Sequence, residues 1–309
     1  MLKYLKVFYF NIIFIFIFIF IFMFKLYKYN SGDIVYSIVT PIYNQESIIV
    51  KNIKSFIDFT QDNFEIILIL DFCFDKTEEN LINFLDNYLC ENKNLIQIKI
   101  FKNCDIPLFE TRCDNIGFRN SEGKYCLEIQ ADMEMTEYGY NLILVKPFNK
   151  FNNVIAVSGR CAHSIFRAPF CGIGKLGVSI EKSIDELNIN RNKFYVSDTC
   201  NRGPLLIDKN KLQELEYLDE LNYFLDNSDH DLMIRAYLSK GYICGYVPID
   251  FKAPLSDGST RNNKKYNNNK YIINECEKRK LQQKMNPREL YKYLPYYKSR
   301  EMRVYELTV

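Results

Sequence analysis

The 309-residue sequence has no tryptophan, and its histidines are confined to His163 and His230. Neither histidine has a His/Cys/Asp set at zinc-ligand spacing around it, so a zinc centre is excluded and a surface or helix-start role is expected for both. Ten cysteines occur, at Cys73, Cys90, Cys104, Cys113, Cys126, Cys161, Cys171, Cys200, Cys244 and Cys276, but none forms a C-x-x-C pair. That excludes zinc-ribbon and thioredoxin-like readings. Several of them lie in apolar runs, where a free thiol behaves as a small core residue, so mostly free thiols are expected. There is no excess of one sign of charge. A net +2 gives no electrostatic ground for nucleic-acid binding. Asn, Ile, Lys, Phe and Tyr are abundant, a codon-bias pattern more than a functional one. The length accommodates one large domain or two modest ones.

One long apolar run is present. Residues 7–24 (VFYFNIIFIFIFIFIFMF) carry no charge, and Asn11 is their one strongly polar residue. As a helix rising about 1.5 Å per residue the run would reach roughly 27 Å, close to the hydrocarbon thickness of a bilayer. The Ile/Phe alternation would also suit a strand, but no polar residue marks a second face. A cleaved signal peptide competes with the membrane reading, yet Lys25-Leu26-Tyr27-Lys28 follows where small residues would be needed. An uncleaved single-pass membrane anchor is therefore expected. Its orientation stays open, because Lys3 and Lys6 flank one end and Lys25 and Lys28 the other. The short segment 27–33 would hold the following domain, and any acceptor, near the membrane.

Beyond it, strand-like and helix-like segments alternate. Residues 34–40 (IVYSIVT), 64–70 (FEIILIL), 95–101 and 124–130 read as strands. Helical spacing fills 46–59, 77–88 and 109–120. This order predicts βαβ units: an α/β fold, mostly parallel, with helices on both faces. The strands are apolar almost throughout, as strands covered on both faces must be. The fourth of them ends abruptly in Gln130-Ala131-Asp132-Met133-Glu134. Ligands bind at such strand ends in open α/β sheets, and two acids there suit a divalent cation carrying a diphosphate. Taken alone, the pair reads more readily as a solvated turn.

Four places in sequence order carry a resemblance. They are SIVTPIYNQE (residues 37–46), EIILILDFCFDKTEE (65–79), TRCDNIGFRNSEGKYCLEIQAD (111–132), and the segment 201–248 with its Ser228-Asp229-His230-Asp231-Leu232. Together, over roughly residues 34–248, they resemble the family 2 glycosyltransferases of the GT-A fold. The resemblance implies that Pro41 and Tyr43 open the nucleotide site, with Tyr43 packing on the base, and that Asp71 accepts a hydrogen bond from the base. It implies that Arg112 and Asn115 reach the nucleotide and that Asp132 ligates Mg2+ or Mn2+, with Glu134 as helper. It also implies that Asp229 is the catalytic base, with Asp231 as a lesser candidate. Leu70 and Gln130 stand where the family often has aspartate.

The implied activity is metal-dependent, inverting transfer of a sugar from a nucleoside-diphosphate sugar to a glycan, lipid-linked or protein acceptor, with no nucleic-acid partner. The family's processive Gln-x-x-Arg-Trp motif cannot occur in a chain without tryptophan, so single addition is expected. The alternative is an inactive nucleotide-sugar-binding protein of the same fold. A nucleotidyltransferase would need a Gly-rich basic loop after the first strand, and residues 41–47 offer none. The expected domains are an anchor and linker (1–32), the GT-A domain (33–252) and a C-terminal loop, basic helix and tail (253–309). Residues 160–175 are expected to form a loop on the acceptor side. Residues 253–261 read as a connector or as a lid bringing Arg261 or Lys264 to the diphosphate.

Overall fold

The computed structural model describes residues 23–163, 175–177, 190–225, 227–254 and 303–307, with isolated helical positions at 273–274, 277–278 and 281. The first half runs β1 (Met23–Lys28), β2 (Tyr36–Ile42), α1 (Ile49–Phe59), β3 (Phe64–Asp71), α2 (Thr77–Asp86), β4 (Leu95–Asn103), α3 (Glu110–Arg119) and β5 (Tyr125–Glu128). There follow β6 (Glu134–Met135), α4 (Tyr140–Lys150), β7 (Val154–Ser158), β8 (Cys161–His163), β9 (Lys175–Gly177), β10 (Lys193–Ser197) and β11 (Thr199–Cys200). The last group is β12 (Leu205–Asp208), α5 (Lys209–Glu214), α6 (Ser228–Lys240), β13 (Ile243–Tyr246), β14 (Phe251–Lys252) and β15 (Arg303–Glu306).

Ten strands form one sheet in the order β1-β4-β3-β2-β5-β12-β7-β13-β10-β15. The expected parallel unit is its left half: β2 pairs in parallel with β3 and with β5, and β3 with β4. The sheet as a whole is mixed, which corrects the mostly parallel expectation. β12 runs antiparallel to both β5 and β7, and β10 antiparallel to β13 and β15.

Period-2 burial explains why the strands read as unbroken apolar runs. Along β3, Phe64, Ile66, Leu68 and Leu70 enter the core built with α1, α2 and α4, whereas Ile67 and Ile69 enter the core built with α3, α5 and α6. Each fully buried Ile or Leu is worth about 1.5–3 kcal/mol. From β2 the chain winds outward to β3 and β4, then crosses by α3 to β5 on the other side of β2. The reversal opens a crevice at the carboxyl ends of β2 and β5, where α/β folds bind ligands.

The membrane span expected over residues 7–24 is not supported. Met23 and Phe24, its last residues, open β1, which pairs antiparallel with β4 in a register that sets Tyr27 opposite Ile98 and Lys28 opposite Gln97. Lys25 Nζ and Tyr27 Oη both donate to Asp86 Oδ1, at 2.6 and 2.7 Å. The physical reason is the free edge of β4, whose unpaired backbone groups an added strand satisfies. Among the described residues no helix is long and apolar enough to cross a membrane. The single-pass membrane localisation falls with the span. Residues 1–22 lie outside the described residues, as do 164–174 of the expected acceptor-side loop and 255–261 of the expected lid. β1 and β15 close the two edges of the sheet, so strands from the expected anchor and tail segments join it.

Candidate active site

The crevice is organised by the residues that follow β2 and β3. Asp75 closes an Asx turn on Thr77 N–H (3.0 Å) and accepts from Glu46 N–H (3.2 Å). Thr77 Oγ1 accepts from Gln45 N–H at 2.6 Å, and Asn44 Oδ1 from Phe74 N–H at 3.0 Å. These bonds join the two loops into one rim. Pro41 lies within β2 opposite Ile69. Tyr43 follows the strand and meets Phe74 edge-to-face, with ring centroids 6.0 Å apart. Asp71, at the end of β3, organises the next loop: its carboxylate accepts from Asn103 Nδ2 (2.7 Å), Leu108 N–H (3.0 Å) and Phe109 N–H (2.9 Å).

At the end of β5 the chain turns at residues 130–133, closed by Met133 N–H to the Gln130 carbonyl at 3.1 Å. Ala131 and Met133 are buried on either side of Asp132, which is half-buried. A single carboxylate at a strand end fits a cation that takes its remaining oxygens from substrate phosphate and water. Glu134, two residues on, has Oε2 2.6 Å from Lys51 Nζ. Gln130 turns to other partners: Nε2 donates to Glu110 Oε1 (2.6 Å), and Oε1 accepts from Arg160 Nη1 (3.4 Å).

Behind Gln130 lies a buried charge cluster that motif reading missed. Arg202 Nη1 donates to Asp114 Oδ2 (2.6 Å) and lies 3.6 Å from Glu110 Oε1. Glu128 Oε2 accepts from Gly203 N–H at 2.7 Å. Gly203 has φ +64°, and a Cβ there would come within 2.5 Å of Met133 Cε, so only glycine brings this N–H to Glu128. Glu110, Asp114 and Glu128 have carboxylate oxygens within 4.8 Å of one another, close enough for a metal ion. The guanidinium already supplies the cation, however. Protons account for the remaining charge, because burial pushes Asp114 up to about 7 and Glu128 well above its ordinary range. These three carboxylates and that of Asp229 keep Arg202 protonated against its burial. The signal present in the sequence was Glu128 itself, an acid inside an apolar strand.

Asp229 sits at the head of α6. Its Oδ2 accepts from Arg202 N–H (3.1 Å) and its Oδ1 from His230 N–H (2.9 Å). Burial raises this carboxyl, but His230, Arg202 and the two N–H donors outweigh it and hold the group below its ordinary value. Asp231 instead pairs with Arg235 one turn along the helix, at 2.7 Å. The two histidines, far apart in sequence, meet edge-to-face at 5.3 Å beside Asp229, with His230 Nδ1 2.7 Å from Thr199 Oγ1. Arg112 and Asn115 both turn to Glu220, at 3.1 and 2.7 Å, and thereby tie α3 to the 218–220 segment. The described cysteines are all free thiols.

Residues 37–169 match the sequence profile of the family described as Glycosyl transferase family 2. No curated protein sequence matches the chain. Among solved structures, GalNAc-T7 with UDP, GalNAc and Mn2+ is similar at TM-score 0.51 and 16% identity, over 71% of this chain and 43% of that one. The mannosyltransferase PcManGT from Pyrobaculum calidifontis, with GDP-Man and Mn2+, is similar at TM-score 0.50 and 12% identity, over 71% and 56%. S. aureus TarS 1-349 with UDP-GlcNAc is less similar, at TM-score 0.46 and 15% identity, over 71% and 58%. The chain spans 43% to 58% of the length of these structures. At such identities the likeness bears on the fold alone, an α/β fold of the GT-A kind, and the profile match marks residues 37–169 as similar to family 2 glycosyltransferases.

Proposed function

We propose that this domain transfers a sugar from a nucleoside-diphosphate sugar to an acceptor hydroxyl by one inverting displacement, adding a single residue. The observation that carries the reading is a continuous line of contacts across the crevice. It runs from the turn that bears Asp132, through Gln130, Glu110 and Arg202, to Asp229. The turn that bears the proposed metal ligand is thus joined to the proposed base by one polar network, although the two are distant in sequence. The Mn2+ named with the two structures of the same fold supports a divalent cation here.

In this reading Pro41 and Tyr43, after β2, form the floor for the nucleotide base. Asp71 shapes the wall beside it by holding the loop before α3. Asp132 would hold Mg2+ or Mn2+, which when bound supplies Lewis-acid neutralisation of the departing diphosphate. Each oxygen of Asp229 accepts one main-chain N–H and keeps a lone pair. Ionised, it takes the proton of the acceptor hydroxyl as that oxygen attacks the anomeric carbon and the bond to the diphosphate breaks.

A thermal-shift screen of UDP-, GDP- and TDP-sugars with Mn2+, on wild type and Asp132→Ala, tests the donor half. We expect at least one metal-dependent stabilisation in the wild type and its loss in the variant; an unchanged shift would remove Asp132 from the site. Stabilisation by a donor that is never turned over would favour the nucleotide-sugar-binding reading instead.

A further inference from the structure

Arg202 stands just before the buried strand β12 and is only 6% exposed. Burying a guanidinium is costly unless its pairings are extensive, and here they converge on one place. Nη2 donates to the Leu225 carbonyl (2.9 Å) and to Oγ of Ser228 (2.8 Å), the residue before Asp229. Nη1 holds Asp114 of α3. The main-chain N–H of the same residue donates to Asp229 itself. Ser228 Oγ also accepts from Thr111 Oγ1 at 3.0 Å, a second tie from α3 to the head of α6. One residue therefore grips the carboxylate, the turn that presents it and the helix behind it. The next N–H, from Gly203, reaches Glu128 in β5.

We propose that Arg202 is the positioning residue for Asp229, holding that carboxylate and the head of α6 against the end of β5 without touching substrate. The inference rests on the reading of Asp229 as the base. The charged and titratable groups that face Asp229 are Arg202 and His230, with Asp114 and Cys200 close by. Those that face Arg202 are Glu110, Asp114, Glu128 and Asp229. Arg202 is thus a cation that favours the ionised carboxylate, and the acid-side limb of the rate profile follows from it. A base works only when ionised, so removing the positive charge raises the pH at which activity is lost.

The test compares Arg202→Lys, Arg202→Met, Ser228→Ala and Asp229→Asn with wild type in the Mn2+-supplemented transfer assay. Circular dichroism and thermal melting monitor folding, and kcat and KM are followed across about pH 5 to about pH 9. Arg202→Met is expected to lower kcat roughly 100-fold and to move the acid limb up by about one pH unit, with donor KM little changed. Arg202→Lys, which keeps the charge and loses the planar fork, should lower kcat roughly 10-fold with the limb near its wild-type position. Ser228→Ala should lower kcat severalfold and leave the limb in place. Folded Arg202→Lys and Ser228→Ala proteins with wild-type kcat would overturn the proposal, and they decide it if Arg202→Met does not fold. Wild-type transfer by Asp229→Asn would instead remove the base reading, whatever the Arg202 variants do.

Discussion

At Glu128 an acid occupies a fully buried position in β5, and its Oε1, like Asp114 Oδ1, has no hydrogen-bond partner among the described residues. Glu65 in β3 is the useful contrast. It is equally buried, yet it accepts from Ser37, Gln97, the Glu122 N–H and Lys99, and is fully provided with donors. The difference carries a pH consequence. Between the ordinary value of 3.8 and about 7, folded Asp114 keeps a proton that the unfolded chain has released. Stability from this cluster is therefore greatest at the acid side and declines as pH rises through that window. Glu128, raised by burial and by Asp114 and Glu110, acts in the same sense. Glu128→Gln should flatten the decline in melting temperature between about pH 4 and about pH 7; a slope equal to wild type would count against proton storage here. The same cluster accounts for Gln130. Its amide donates to Glu110, whereas an aspartate there would face that carboxylate as a like charge. Leu70 likewise stands on the core face of β3, 1% exposed, where a carboxylate would lack water.

Among the elements, α3 shows what a motif leaves open. The Asn115-Ile116-Gly117 pattern was legible, and either a nucleotide contact or packing of the helix on the sheet face would explain Asn115. In the structure Asn115 exchanges hydrogen bonds with the Leu218 main chain, at 2.8 and 3.0 Å, and so joins α3 to the segment before α6. Gly117 permits the contact with the sheet, since a Cβ would lie 2.2 Å from Val39 Cγ1. Gly117→Ala is expected to destabilise the fold by about 1–3 kcal/mol through overpacking, despite alanine's better helix propensity. Urea unfolding measures this, and an unchanged midpoint would show that β2 and α3 yield easily. The βαβ strands were legible because both their faces are covered, which leaves a short apolar run bounded by turns. β1 was not, because its partner β4 lies some seventy residues onward and a long uncharged run satisfies the length rule for a membrane span equally well.

For the whole molecule, the expected parallel unit supplies the crevice, and the mixed half of the sheet that begins with antiparallel β12 supplies what faces it. β12 inserts between β5 and β7, and so brings Arg202 and Gly203 against Glu110, Asp114 and Glu128, chain segments more than seventy residues apart. Motif spacing could place Asp132 and Asp229 as candidates but could not supply the arginine between them, because buried ion pairs between distant segments leave no periodic mark. The central claim is that Asp229 removes the acceptor proton in a reaction whose donor is held elsewhere in the crevice. It is tested most directly by measuring Mn2+-dependent sugar transfer by wild type and Asp229→Asn, using the donor that stabilises the protein. Turnover by the wild type is expected, with a kcat lower by about 10²- to 10⁴-fold in the variant and the donor-induced thermal shift retained. Transfer by Asp229→Asn at the wild-type rate would contradict that claim.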